Sequence, residues 1–460
     1  MPERIFTTTL DANTNKIYTR RTQGFYQQLR RYTGIPLLLS YGLIPWLNIN
    51  GRPAVLFDLT AQKFHILWMS FWPQDGILLA ALLILAAFLL FIATILVGRV
   101  WCGFTCPQTV WTMMFMWAEN LCEGDRNQRI KLDHQPWSLN KLLRKGGKHS
   151  IWLLISLITG FSFVAYFYPV RELLTDVIYL EASAATYFWV LFFVGFTYLN
   201  AGWLRESVCK HMCPYARFQS AMYDKDTMVV TYDSKRGDPR GGQKGRGEQK
   251  GDCVDCSWCV QVCPVDIDIR DGLQYACIDC GLCVDACNNV MDKVGYSRGL
   301  IRFTSQHAME TGHTQLLRPR LVAYIISAVI MSGLFFFTVA TRSPVSLDVV
   351  RDRGTRLFHT VHNGVENVYT IKINNMGTVD QTFTLSVEGR HHYILKGHHQ
   401  ATVRPGEVYV MPTRVWRAQE EQSRPQDTLE FVVKSTTNPD ISARQKASFI
   451  AQAKIASNAR

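Results

Sequence analysis

The sequence predicts a multi-domain protein with three parts: an α-helical membrane domain of about five spans, a cysteine-dense insert before the last span, and a C-terminal all-β sandwich. Three observations carry this. Apolar residues make up 48% of the 460 positions and charged residues only 19%, and the apolar ones are bunched into long runs. All thirteen cysteines fall between Cys102 and Cys287. Beyond residue 342 the texture changes to short stretches in which apolar and polar residues alternate. A chain this long exceeds one compact domain, and a secreted disulfide scaffold would not confine its cysteines in this way.

The expected spans are residues 33–49, which carry an internal proline, 77–97, 150–169, 185–203 and 321–340. Each approaches the roughly 20 apolar residues that cross a hydrocarbon core. The second has no charge at all, which excludes an ordinary buried core helix. Lys and Arg in the flanks set the orientation. Arg20, Arg21, Arg30 and Arg31 precede the first span, and Arg99, Arg126, Arg129, Lys131, Lys141, Arg144, Lys145 and Lys148 lie between the second and third. Between the third and fourth there is only Arg171, against Glu172, Asp176 and Glu181. The alternation puts the N-terminus and the loops 98–149 and 204–320 in the cytoplasm of a bacterium, with the chain multi-pass in the inner membrane and its tail periplasmic. Residues 51–72, rich in Phe and Trp, are expected at the membrane interface. The net charge of +12 sits largely in these flanks, so membrane lipid, and no nucleic acid, is the expected partner. The first apolar run begins well inside the chain with no small-residue cleavage site after it, so no secretory signal peptide is expected.

The densest motif is Cys253-x2-Cys256-x2-Cys259-x3-Cys263-Pro264, followed by Cys277-x2-Cys280-x2-Cys283-x3-Cys287. This is the spacing of two-cluster bacterial ferredoxins. Thiolates are the soft ligands that iron in such clusters takes, and the short x2 turns wrap three sulfurs around one cube while the fourth comes from the other motif. The expected sets are Cys253, Cys256, Cys259 and Cys287 for one 4Fe–4S cluster, and Cys277, Cys280, Cys283 and Cys263 for the other. Structural zinc sites pair two separated C-x2-C units and do not match. Asn288 stands where a second proline is common, which predicts a different turn there. The Gly-, Lys- and Arg-rich residues 234–251 read as a flexible linker, with an acidic donor's docking surface as the other reading.

A second cysteine pattern is repeated. Arg99 is followed by Cys102-x3-Cys106-Pro107, and Arg205 by Cys209-x3-Cys213-Pro214, each at the cytoplasmic end of a span. On a helix this separation puts both thiols on one face, so the four would converge if the spans are neighbours. A soft-metal site, a thiol–disulfide relay and ligands for another cluster all fit. With Met113, Met114, Met116, His211 and Met212 nearby, Cu(I) suits the softness of the donors, although methionines at a membrane face are commonly packing. Cys122 reads as structural. His149 falls just before the third span and no span holds a histidine, so intramembrane bis-histidine haem is not expected.

In the tail, Tyr369, Ile371 and Ile373, then Phe383, Leu385 and Val387, then Val408 and Val410, then Leu429 and Phe431, mark strands. Asn375-Met-Gly377 and Pro405-Gly406 mark turns. This fits a C-terminal all-β immunoglobulin-like sandwich without its usual disulfide. The pairs His391–His392 and His398–His399 read as solvated loop rather than metal ligands.

The segments Gly51-Arg-Pro-Ala-Val-Leu-Phe-Asp58, Trp72-Pro-Gln-Asp75, Trp101-Cys-Gly-Phe-Thr-Cys-Pro-Gln-Thr-Val-Trp111, Glu123-Gly-Asp-Arg-Asn127, Val290-Met-Asp-Lys293 and Arg298-Gly-Leu-Ile-Arg302 resemble the cytochrome c oxidase accessory protein family of the FixG/CcoG type, membrane-bound polyferredoxins. The resemblance covers most of the chain. It implies a role in assembling cbb-type oxidase, with Cu(II) reduced to Cu(I) for the copper centre, and an Ig-like tail. On that reading a cytoplasmic electron donor reduces the two 4Fe–4S clusters. The electron then passes to copper near Cys102, Cys106, Cys209 and Cys213, and oxidase subunits or copper-delivery proteins are the partners. A quinol-linked respiratory subunit and a non-enzymatic assembly scaffold are the alternatives. The expected divisions are 1–32, a cytoplasmic segment; 33–224, spans one to four; 225–252, the linker; 253–320, the ferredoxin-like insert; 321–341, span five; and 342–460, the Ig-like domain.

Overall fold

The computed structural model describes residues 17–49, 51–67, 69–241, 251–341, 343–352, 358–361, 364–377, 379–418 and 426–451. Residues 1–16 of the expected 1–32 segment and 242–250 of the expected 225–252 linker therefore lie outside the described residues. The chain forms two compact units, Met1–Phe335 and Phe336–Arg460.

In the first unit the helices run α1 (Phe25–Leu43), α2 (Gly76–Val97), α3 (Val100–Phe104), α4 (Pro107–Cys122), α5 (Arg126–His134), α6 (Leu139–Val164), α7 (Val170–Ile178), α8 (Ala184–Thr197), α9 (Pro214–Met222), α10 (Ser234–Gly237), α11 (Trp258–Gln261), α12 (Leu282–Val294), α13 (Gln306–Thr311) and α14 (Pro319–Ala340). Four are long and apolar enough to cross a membrane: α2, α6, α8 with its π-helical continuation to Leu204, and α14. Most of the side chains of α2, α8 and α14 are left uncovered by the rest of the protein, while α6 is more deeply buried.

The expected first span differs. The helix starts at Phe25, carries Pro36 inside it and gives way at Leu43 to a short 3₁₀ turn, Ile44–Trp46. Its arginine-bearing first half makes it too polar to qualify by composition alone. It still packs against the other helices at two places. At one end Arg30 donates to the Gly103 carbonyl. At the other the Tyr41 hydroxyl donates to the Thr159 carbonyl, and the Tyr166 hydroxyl to the Tyr41 carbonyl. Gly24 offers no side-chain cap to α1; instead the Asp285 carboxylate, from α12, accepts the N–H groups of Tyr26 and Gln27 at 3.2 and 2.8 Å.

The third span starts earlier than expected, at Leu139, because Ser138 caps it and the lysines of its first turns have acidic partners. Lys145 pairs with Asp133, and Lys148 with Glu123 at 3.0 Å. His149 therefore sits within α6, bonded to the Tyr198 hydroxyl at 2.7 Å. The expected interfacial segment is a small β structure: Asn48–Ile49 pairs with Arg52–Pro53, and Val55–Asp58, Lys63–Ile66 and Met69–Phe71 form a three-stranded sheet. Part of the expected linker is ordered too. Asp233 caps α10, and Arg236 pairs with Asp252 at 2.6 Å.

The insert lies between α10 and α13. Strands Val229–Tyr232 and Ile301–Thr304 pair antiparallel and close it off. Val230, Ile269, Val284, Val290, Met291, Leu300 and Ile301 are buried beside cysteine side chains. Such burial gives about 1.5–3 kcal/mol for each large apolar side chain.

The second unit is a sandwich of two antiparallel sheets. One orders Ile394–Lys396, Val408–Ala418, Gly364–Asn375 and Val345–Arg351, with His359–Val361 pairing the start of Gly364–Asn375. The other orders Gln400–Val403, Gln381–Gly389, Gln426–Ser435 and Ser442–Ile450. Tyr369, Ile371, Ile373, Phe383, Phe431 and Phe449 are wholly buried between them. The strand that Val408 and Val410 mark runs Val408–Ala418, with Val410 exposed and Met411, Thr413 and Val415 buried. His391 sits 3.3 Å from Asp427.

Candidate iron–sulfur site and membrane-face thiols

The two cysteine motifs of the insert fold as near repeats. Asp255 and Asp279 follow the first cysteine of each motif by two positions, Ser257 and Gly281 by four, and all four residues have left-handed backbone, with φ of 53°, 49°, 55° and 72°. A non-glycine residue there costs on the order of 1–3 kcal/mol; the bends it permits turn successive sulfurs toward one point. Ser257 and Gly281 then start α11 and α12.

Two cavities result. One is lined by Cys253, Cys256, Cys259 and Cys287, with Tyr232, Arg270 and Met291 around them. The other is lined by Cys263, Cys277, Cys280 and Cys283, with Ile267, Ile269 and Leu282. These are the interleaved sets that the spacing predicts. Cys259 lines both cavities, which places them side by side. α12 runs through Cys287 and Asn288 without a break, which proline at 288 would not allow. Asn288 instead accepts the Gly299 N–H.

The donors fit iron–sulfur clusters. Among the described residues no three His, Cys, Asp or Glu side chains gather closely enough for a single metal ion. Four sulfurs around a cavity suit a cube of several irons. Burial pushes the Cys263 and Cys287 thiols up to about 12 and Cys259 to about 11, so a metal must displace their protons to bind. When bound, each cluster supplies one-electron exchange. The chain supplies the access. Cys256 is exposed while Cys253, Cys259 and Cys287 are buried, and Cys277 and Cys280 are buried in the second set. The first cavity thus faces solvent and the second faces the membrane half.

The membrane-face pairs do not lie on single helix faces. Cys102 is in α3, but Thr105 ends that helix and Cys106 is the extended N-cap of α4. Cys209 is in a π-helical turn, Val208–Met212, and Cys213 is the extended N-cap of α9. Pro107 and Pro214 cause this: with no N–H to give the preceding turn, each starts a new helix. The four thiols nevertheless share one neighbourhood. Cys102 feels the charge of Cys106, Cys209 and Cys213, and Cys209 that of Cys106 and Cys213. Burial pushes Cys102 up to about 12 and Cys209 to about 11, and Arg99 works against both. Burial pushes the Cys106 thiol up, and the backbone at the start of α4 works against it.

Several residues that the sequence does not single out build this face. The Gln108 amide donates to the Asn200 and Arg205 carbonyls at 3.0 and 3.1 Å, holding the strained turn where Arg205 has φ 41°. Fully buried Glu119 bonds Arg205 at 2.5 Å and Arg129 at 2.8 Å. Burial raises its pKa, but Arg205 and Arg129 outweigh this and hold it below the usual carboxylate range. Buried Gln219 accepts the Cys102 thiol at 3.3 Å. Glu119, alone among Met, Phe and Trp, was the one visible signal. Met113 and Met116 line a small cavity with Cys209, Pro264, Val265 and Ile278; Met113 also packs against Gly34. Cys122 lies near Gly147, away from this cavity.

This face abuts the second cluster cavity. Cys102 packs against the buried cluster that includes Cys277, Ile278 and Cys280, and a Cβ on Gly103 would lie 2.8 Å from the Ile278 carbonyl and 3.0 Å from Cys280 Cα.

Comparison with known proteins agrees with these parts. Residues 204–306 match the model of a 4Fe–4S dicluster domain, residues 78–119 that of a 4Fe–4S binding domain, and residues 335–452 that of the IG-like fold at the C-terminus of FixG. The nitrogen fixation protein FixG of Rhizobium meliloti is 37% identical over 81% of this chain and 79% of its own. Protein RdxA of Cereibacter sphaeroides is 38% identical over 83% of this chain and 84% of its own. A crystal structure of a FixG-related protein from Vibrio parahaemolyticus covers 24% of this chain and 97% of its own, at 27% identity and a TM-score of 0.22.

Proposed function

The chain belongs to the FixG-type family of cytochrome c oxidase accessory proteins, and from that premise we propose that this membrane iron–sulfur electron-transfer protein reduces Cu(II) to Cu(I) during maturation of a cbb-type oxidase. Electrons enter at the exposed Cys256 side, cross to the second cluster and leave through Cys102, Cys106, Cys209 and Cys213. The carrying observation is the packing of Cys102 and Gly103 directly on the loop that holds Cys277 and Cys280. Soft thiolates with Met113 and Met116 beside them favour Cu(I) over Cu(II), which helps the transfer. The basic flanks favour the N-terminus and cysteine loops in the cytoplasm and the Ig-like domain in the periplasm, where it would meet oxidase subunits or copper-delivery proteins.

Cu(II) reduction by purified protein with chemically reduced clusters is the test. The rate should fall by at least tenfold when all four membrane-face cysteines become Ser; an unchanged rate sinks this exit.

One observation favours a quinol-linked reading of the donor. A cavity of about 570 Å³ is lined by Arg20, Arg30, Arg31, Asn120, Met113, Trp117 and Leu38, and by Val262 and Leu282, the neighbours of Cys263 and Cys283. Its size suits a small-molecule site, and its polar and apolar walls match an amphiphile's head and tail. Quinol added to oxidised protein should bleach the cluster absorption on this reading, whereas a soluble cytoplasmic donor needs no quinol.

A further inference from the structure

We propose that the cavity of about 570 Å³ lined by α1, α4 and the insert holds the headgroup of an anionic phospholipid, with its phosphate on the arginines before and within α1 and a headgroup hydroxyl on Asn120. The inference goes beyond the copper reading and does not depend on it.

Charge carries the argument. Arg20, Arg21, Arg30 and Arg31 line the cavity, and no carboxylate does. Topology alone explains arginines in a cytoplasmic flank, but such arginines can stay in water. Arg30 does not: it is 3% exposed, and its Nε donates to the Gly103 carbonyl. Burying a cation without a counter-charge is costly. Among the described residues none of the four guanidinium groups forms an ion pair. Arg20 lies over the Trp258 ring and reaches the Gln261 side-chain oxygen at 3.3 Å, while Arg21 meets Asp125 only through its backbone N–H. Carboxylates on the flanking helices are committed elsewhere. Glu119 holds Arg129 and Arg205, and Asp285 holds the N–H groups of Tyr26 and Gln27. Glu206 shares a second, small cavity with Arg30 without pairing to it. A phosphate is the matching counter-charge, since guanidinium forks bind its oxygens two at a time.

Asn120 adds a second requirement. It lines the cavity, and its Oδ1 is buried with no hydrogen-bond partner among the described residues. Such an acceptor calls for a donor, and a hydroxyl serves whichever way the amide is turned. A phosphodiester that also carries a hydroxyl, as in phosphatidylglycerol, meets both demands. A neutral quinol head would meet Asn120 and leave the arginines uncompensated. The rim separates a lipid from a free phosphate: Ile35, Trp117 and Leu121 line the same cavity and are each more than half exposed. Acyl chains would cover them, and tryptophan is favoured at headgroup level.

The test is native mass spectrometry of the full-length, cluster-loaded protein, stripped of lipid in detergent. It is titrated with dioleoyl phosphatidylglycerol, dioleoyl phosphatidylcholine, a short-chain quinol or inorganic phosphate. One phosphatidylglycerol should bind most tightly and, by binding only the folded form, raise the midpoint for thermal loss of cluster absorption. R21Q/R31Q should weaken its binding by about tenfold or more. Asn120→Leu should weaken it less, and Arg144→Gln, at an exposed arginine in another basic flank, should leave it unchanged. Wild-type iron content shows that a variant is folded; if the double variant loses iron, Arg31→Gln alone decides. Equal affinity for phosphatidylcholine, or an equal loss in Arg144→Gln, reduces the site to a generic basic surface and overturns the proposal. Inorganic phosphate or quinol held in preference to phosphatidylglycerol overturns it as well.

Discussion

The backbone N–H of Arg99 donates to the Asp279 carboxylate at 3.0 Å, and so joins the end of α2 to the loop between Cys277 and Cys280. The same carboxylate accepts the Val230 N–H at 3.1 Å. The Arg99 guanidinium donates to the carbonyls of Cys277, at 2.9 Å, Ala216, at 2.6 Å, and Tyr275. Gly98 makes the approach possible: its φ is +49°, and a Cβ there would lie 2.6 Å from the carboxylate. The membrane half and the second cluster loop therefore form one rigid joint.

Asp279→Asn should weaken that joint. An amide turns one acceptor oxygen into a donor facing N–H groups, which costs about 1–3 kcal/mol for the buried group left unpaired. The midpoint for thermal loss of cluster absorption should drop, with Arg99→Leu lower still. Variants matching the wild type in iron content and midpoint would show the joint to be dispensable.

Gly281→Ala should be worse than Gly272→Ala. Both have positive φ, +72° and +96°, but a Cβ at 281 meets the Tyr26 ring at 2.5 Å while one at 272 meets open space. The second variant carries only the backbone cost, on the order of 1–3 kcal/mol. The first must also shift Tyr26, next to the start of α1. Iron content per chain after identical purification checks the order.

Glu119 makes stability depend on acid. Its pKa is lowered in the folded state, so its contribution is full above the ordinary carboxylate value. That contribution disappears as pH falls through the folded pKa. Glu119→Gln should cost about 3–5 kcal/mol at neutral pH, because it leaves Arg129 buried without its counter-ion. It should also flatten the acid limb of a pH–stability curve measured in detergent. A variant with the wild-type acid limb would assign that limb to other carboxylates.

In the β sandwich, the Tyr369 hydroxyl donates across the sheets to the Ser448 carbonyl at 3.0 Å. Tyr369→Phe should cost about 1 kcal/mol, and Phe431→Ala, at the wholly buried ring against which Tyr369 packs, about 3–5 kcal/mol. Chemical unfolding followed by tryptophan fluorescence would rank the two.

What was legible in the sequence was periodic or compositional. The charge-free run ending at Val97 and the spacing of Cys253–Cys287 each require one arrangement, because lipid and iron tolerate few alternatives. The alternation at Tyr369, Ile371 and Ile373 likewise predicts the inward face of its strand. What was not legible depends on partners distant in the chain. Lys145 and Lys148 look like loop residues until Asp133 and Glu123 neutralise them, which is why α6 starts early. The C-x3-C pairs look helical until the prolines beside Cys106 and Cys213 divide them. Val408 and Val410 mark a strand without saying which of its faces is buried; Met411, Thr413, Val415 and Arg417 fill the inner one. Arg99 stood out as a flank charge and as the arginine before the first C-x3-C pair, but nothing local marks the carbonyls it reaches.

The carboxylate of Asp285 has a consequence for biogenesis. The ribosome makes α1 first, yet the group that completes its opening turn emerges some 260 residues later, from the segment that also carries Cys283 and Cys287. A nascent chain halted before that point holds a helix with dangling amides at the bilayer surface. Maturation of the metal-bearing insert and final seating of the first-made helix are thereby one event, and a cell starved of iron should accumulate chains whose N-terminal region is open to protease.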